Sequence, residues 1–133
     1  MLTLSVEERE MVHAILFPSH IQYKGSLPLI VRDAREDAAW LALQDYALNN
    51  PMRALRLIRH IARQEESANV EDLLSGPMET LLSRANEELR TFILNESTMD
   101  MQLLNMAWAA WRGPEDDPFF LQLVALKPGW AQT

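Results

Sequence analysis

Residues 69–93 read NVEDLLSGPMETLLSRANEELRTFI, and the helical character of the whole chain is decided here. Asn69 with Asp72 three residues on resembles a helix start, Gly76 is the residue best able to end a helix, and Pro77 suits the first turn of the next one. From there Met78, Leu81, Leu82, Ala85, Leu89, Phe92 and Ile93 recur in steps of three and four, while Glu79, Ser83, Arg84, Asn86, Glu87, Arg90 and Thr91 fall elsewhere. The spacing predicts a short helix, a Gly-Pro break and a longer amphipathic helix that buries one stripe.

Similar patterns surround this stretch. On the N-terminal side, Ser5 and Glu8 form a capping box ahead of a helix over 6–17 whose apolar side is Met11, Val12, Ile15 and Leu16, and Pro18 ends it. Residues 18–31, PSHIQYKGSLPLIV, lack helical period and are expected to form an ordered loop whose LPLIV end tucks into the core as a short extended piece. A helix over about 32–48 is apolar nearly all round, which places it centrally. Asn50 and Pro51 supply a cap and a first-turn residue for a third helix, with Ala54, Leu55, Leu57, Ile58, Ile61 and Ala62 on one side and Arg53, Arg56, Arg59, His60 and Arg63 on the other.

Towards the C-terminus, Ser97 with Asp100 starts a last long helix through Trp111, rich in Met and Trp and closed by Gly113 and Pro114. The apolar run 119–126 is expected to form a short helix. Together these elements predict an all-α fold: a single domain over 1–133, a compact bundle of about five main helices, with Asn-Pro and Gly-Pro breaks giving a look of irregular HEAT-like pairs.

Composition restricts the chemistry. A chain of 133 residues can bury its own core without metals or disulfides, and the absence of cysteine removes thiolate metal sites and a cysteine nucleophile. The N-terminus carries acids where a signal peptide carries Lys or Arg, and no apolar run reaches the roughly 18 residues of a membrane span, so a cytoplasmic protein is expected. The net charge of -7 is unevenly spread: residues 1–64 hold 8 Lys/Arg against 7 Asp/Glu, residues 65–133 only 4 against 12.

No catalytic set is complete. Glu10 and His13 have the Glu-x-x-His spacing of half a carboxylate-bridged metal site, but no second such pair occurs. The four glycines are too scattered for a phosphate-cradling loop, and no cofactor is expected. An enzyme with a pocket between the first helix and the loop bearing His20 is a third reading, resting on Glu10, His13 and His20. Met and Trp of the last helix suit a partner surface but are expected in the core.

With LSGPMETLL at 74–82 and the tryptophan-bearing helix at 108–111, the chain resembles, over about 37–111, a family of small bacterial helical domains of uncharacterised activity with an A-x-G-P-L-E-D-L-L-like core. The resemblance rests on Gly76, Pro77, Glu79, Leu81, Leu82 and Trp; Met78 and Thr80 depart from the commonest residues. It implies a bacterial or prophage origin and a helical fold, and nothing catalytic. In general type such small, acidic, cysteine-free helical chains also look like immunity proteins of bacterial toxin systems.

The function expected is therefore non-enzymatic protein binding, most concretely immunity-type inhibition of a bacterial toxin. Its acidic surface would be Glu65, Glu66, Glu71, Asp72, Glu87, Glu88, Glu115, Asp116 and Asp117, steering a basic partner. The alternative is a small regulatory nucleic-acid or nucleotide binder using Arg53, Arg56, Arg59, His60 and Arg63, since guanidinium groups hold phosphates bidentately. The absence of aromatic residues among those arginines counts against single-stranded nucleic acid, and the competing expectation is a solvated face partly paired with Asp33, Glu36, Asp37 or Asp45.

Overall fold

The computed structural model describes residues 3–17, 21–24, 27–30, 34–64, 67 and 71–126. These form seven helices and one hairpin: α1 (Val6–Leu16), β1 (Ile21–Lys24), β2 (Leu27–Ile30), α2 (Ala34–Asn49), α3 (Pro51–Ala62), α4 (Glu71–Arg84), α5 (Glu87–Ser97), α6 (Met101–Ala110) and α7 (Pro118–Leu126). The body of the fold is helical as expected, with seven helices rather than about five. The segment read as a loop with an extended end contains an antiparallel strand pair in which Ile21 faces Ile30 and Lys24 faces Leu27.

Local signals explain several of the boundaries. The α1 capping box is complete: Glu8 N–H donates to Ser5 Oγ at 3.1 Å, and Ser5 N–H donates to Glu8 Oε1 at 3.0 Å. Pro51 opens α3, although the side chain of Asn50 makes no capping bond. Along α3, Leu55, Ile58 and Ile61 are fully enclosed on one side while Arg53, Arg56, Arg59, His60 and Arg63 take the other, as the spacing predicts.

The Gly76–Pro77 break does not exist. α4 runs continuously from Glu71 to Arg84 with Pro77 inside it, and a Cβ on Gly76 would meet nothing within 4 Å beyond its chain neighbours. An interior proline costs a helix about 3 kcal/mol, but burying a large apolar side chain returns about 1.5–3 kcal/mol. Four such side chains, Leu74, Met78, Leu81 and Leu82, are enclosed along this helix. Tertiary burial therefore outweighs the local breaker.

The long stripe over 78–93 is instead interrupted at Ala85 and Asn86. Asn86 caps α5 by accepting the Leu89 N–H at 2.8 Å, followed by two acids in the first turn. A third correction concerns Ser97, which ends α5 and is buried, while Asp100 alone caps α6 through Leu103 N–H at 3.1 Å. The short C-terminal helix is present as α7, with Phe119 and Leu123 buried.

One contiguous apolar cluster draws on all seven helices. α2 packs against α1, α3 and α4, and α4 packs also against α3 and α6, so that α4 joins the N-terminal helices to the group formed by α5, α6 and α7. α2 is central, but not apolar all round in effect: Ala39, Leu43 and Ala47 are buried and Leu41 is 71% exposed. No helix among the described residues is long and apolar enough to cross a membrane.

Candidate functional site

The arginine side of α3 is engaged within the molecule. Arg53 Nε donates to Glu8 Oε2 at 3.1 Å, and its guanidinium lies 4.2 Å from the Tyr46 ring centroid. Glu8 thereby joins the α1 cap to α3, and the Ser5 N–H first and then Arg53 hold its carboxyl below the usual range. At the other end of the helix, Arg59 donates through Nη1 to Glu96 Oε1 at 3.0 Å and through Nη2 to Asp100 Oδ2 at 2.8 Å, and Arg63 Nη2 reaches the same Oδ2 at 3.2 Å.

Asp100 is thus used twice, Oδ1 capping α6 and Oδ2 receiving two guanidiniums. Burial would raise its carboxyl, but the Leu103 N–H, Arg59 and Arg63 together bring it below the ordinary value. Among the described residues, the arginine face is paired with Glu8 of α1 and with Glu96 and Asp100 at the α5–α6 junction; Asp33 lies outside those residues. Arg56 is exposed, and the Gln64 side chain donates to the His60 carbonyl at 3.0 Å. Arg53, Arg56, Arg59, His60 and Arg63 therefore share one helix face, on which Arg53, Arg59 and Arg63 are paired with carboxylates while Arg56 and much of Arg63 remain exposed.

The acidic residues behave differently. Glu87 and Glu88 occupy the first turn of α5 and are exposed, as are Glu115 and Asp116 in the turn before α7. None of these four has an ion pair among the described residues. Asp117 accepts the Phe119 N–H at 2.8 Å and lies 3.6 Å from Arg90 Nη1, which ties the 115–117 turn to α5 one helical turn beyond Glu87. Arg90 is seated between α5 and α7 with its guanidinium 5.2 Å from the Phe119 centroid and 5.8 Å from that of Trp111. Glu71 and Asp72 stand in the first turn of α4. Glu65 and Glu66 lie outside the described residues.

Two of the grooves among the described residues bear on these readings. The larger, about 830 Å³, runs between α1 and α2 and carries Glu10 and His13 on its lip. The His13 ring lies against Phe17 with centroids 4.9 Å apart and planes tilted by 36°, and no group of three potential metal ligands occurs among the described residues. His20, the third member of the enzymatic reading, lies outside those residues. The smaller groove, about 690 Å³, lies between the end of α3, α4 and α6.

The sulfur-rich end of α6 is only partly core: Leu103 and Leu104 are buried, while Met99 is 84% and Met101 49% exposed. Among residues with structural consequence, sequence reading missed Glu96, Asp100 as an ion-pair acceptor, and Arg90. Their partners are remote in sequence, and only the Asp100 cap had a local signal. No protein-family model, curated protein or solved structure matches the chain.

Proposed function

We propose that this chain is a non-catalytic protein-binding domain whose C-terminal acidic surface meets a basic partner, in its most concrete form an immunity-type inhibitor of a bacterial toxin. The observation that carries this reading is an asymmetry in charge use. Arg53, Arg59 and Arg63 are neutralised by intramolecular carboxylates, whereas Glu87, Glu88, Glu115 and Asp116 remain exposed without ion pairs among the described residues. Internal pairing leaves less of the α3 face for phosphates, and the outward field of the C-terminal half is negative. Such a field raises the encounter rate with a basic surface more than it raises affinity, and salt screens it.

Co-expression with the products of adjacent genes tests the concrete form. The expected result is stable co-purification with one of them and relief of that product's toxicity. Binding to none, together with no relief of toxicity, would overturn the immunity reading.

A further inference from the structure

We propose that Met99 and Met101 form a modification site, oxidised to sulfoxides by hydroperoxides ahead of the other described methionines and without disturbance of the fold. The residue between them sets their direction. Asp100 has an extended backbone, φ -131° and ψ 93°, and its carboxylate points inwards, Oδ1 accepting the Leu103 N–H and Oδ2 receiving Arg59 and Arg63. Side chains on either side of an extended residue project away from its own, so the anchoring of Asp100 turns both thioethers outwards. Met99 is 84% exposed and Met101 49%. The turn that carries them is itself fixed, with the Met99 N–H donating to the Glu96 carbonyl at 3.1 Å and the Thr98 hydroxyl to the Asn95 carbonyl at 2.7 Å.

The other methionines are less open. Met78 is fully enclosed and Met11 is 8% exposed. Met106 packs half-buried against the same core, Met52 at the start of α3 is 36% exposed, and Met1 lies outside the described residues. In the oxidation a sulfur lone pair attacks the peroxide. The S–O bond forms as the O–O bond breaks, sulfur gives up two electrons, and the departing oxygen takes the proton of the transferred one and leaves as water or an alcohol. The oxidant must reach the sulfur, so rates follow exposure, and neutral hydrogen peroxide is not turned away by a net charge of -7. A sulfoxide is polar where the thioether was apolar, which disrupts packing in a core. At 99 and 101 the new oxygen meets water, and the Asp100 cap and its arginines keep their places. The site is therefore a redox-dependent change of polarity at the α5–α6 junction. The 11 residues of α5, roughly 16 Å, separate it from Glu87 and Glu88 at the other end of that helix.

Treatment of the full chain with hydrogen peroxide, with oxygen uptake at each methionine followed by mass spectrometry of its peptides, tests the proposal. Met99 and Met101 are expected to take up oxygen at least about tenfold faster than Met11 and Met78, with Met52 and Met106 between. Chain oxidised at 99 and 101 alone is expected to keep the wild-type denaturant midpoint. Met99→Leu with Met101→Leu retains apolar bulk at two exposed positions and should remove the fast uptake. Met11 or Met78 oxidising as fast as Met99, fast uptake persisting in the double variant, or a midpoint lowered by oxidation at 99 and 101 alone would each overturn it.

Discussion

Arg59 and Asp100 meet at 2.8 Å across 41 residues of chain, and through them the last turn of α3 is fixed to the first turn of α6. Because the other nitrogen of Arg59 holds Glu96 on α5, three helices converge on one guanidinium. Its Nε is buried with no hydrogen-bond partner among the described residues, so Glu96 and Asp100 supply the compensation seen there.

Removing Asp100 therefore has two separable costs. Asp100→Ala loses both the α6 cap and the Arg59 partner and should destabilise by about 2–3 kcal/mol, the pair term being reduced because neither side chain is fully enclosed. Asp100→Asn keeps a capping oxygen and should lose about half as much. Denaturant midpoints measure both; equal losses would show that only the charge matters, and two negligible losses that the junction is ornamental.

Stability should also fall in acid at this junction. A carboxyl whose folded value is depressed, as those of Asp100 and Glu8 are, contributes fully above its unfolded value of about 4, and the contribution disappears as pH falls through the lower folded value. Unfolding free energies of wild type and Asp100→Asn are thus expected to differ at neutral pH and to converge below about pH 4. A gap that stays constant down to strongly acid solution would contradict the assignment.

Arg90 fastens the C-terminal helix. Asp117, Phe119 and Trp111 all contact its guanidinium, and no other cation takes that place among the described residues. Arg90→Ala should cost about 1–2 kcal/mol, with the loss of amide protection concentrated in α7 and in residues 111–117. Uniform loss across the domain would mean that α7 is not separately held.

A helix end at Gly76, as the Gly-Pro pattern predicts, would put that glycine in the left-handed region and make a β-branched replacement cost about 1–3 kcal/mol, but the helix runs through it. In a continuous helix with open space at the missing Cβ, Gly76→Ala gains helix propensity, opposed only by crowding against the following proline ring. The unfolding free energy should stay within about 1 kcal/mol of wild type. A larger loss would restore the break.

Legibility followed the range of each interaction. The Ser5–Glu8 box and the apolar face of α3 are local patterns and could be read directly. Gly76–Pro77 is also a local pattern, and it misled because Leu74 and Met78 on either side of it are both buried on the same continuous helix, a tertiary fact. Asn86 followed by Glu87 and Glu88 is a legible cap that the apolar stripe on either side concealed. The partners of Arg59 had no local signature at all: among the carboxylates available to a guanidinium, nothing in the sequence ranks residues 37 and 41 positions away above those of the adjacent helix. Of the candidate surface, the exposure of Glu87, Glu88, Glu115 and Asp116 followed from their polarity, but the link from Asp117 to Arg90 did not.

The acidic surface is tested most directly by affinity capture from the native cell, with wild type and the variant Glu87→Lys, Glu88→Lys, Glu115→Lys and Asp116→Lys as parallel baits. All four positions are exposed, but Glu87 and Glu88 also favour the N-terminus of α5 by about 0.3–1 kcal/mol each, so the comparison is made with variant protein whose circular dichroism matches the wild type. The expected result is a protein with a basic binding face retained by the wild type at low ionic strength, released as salt rises, and absent from the variant. Capture of the same protein by both baits, with the same salt response, would contradict the account.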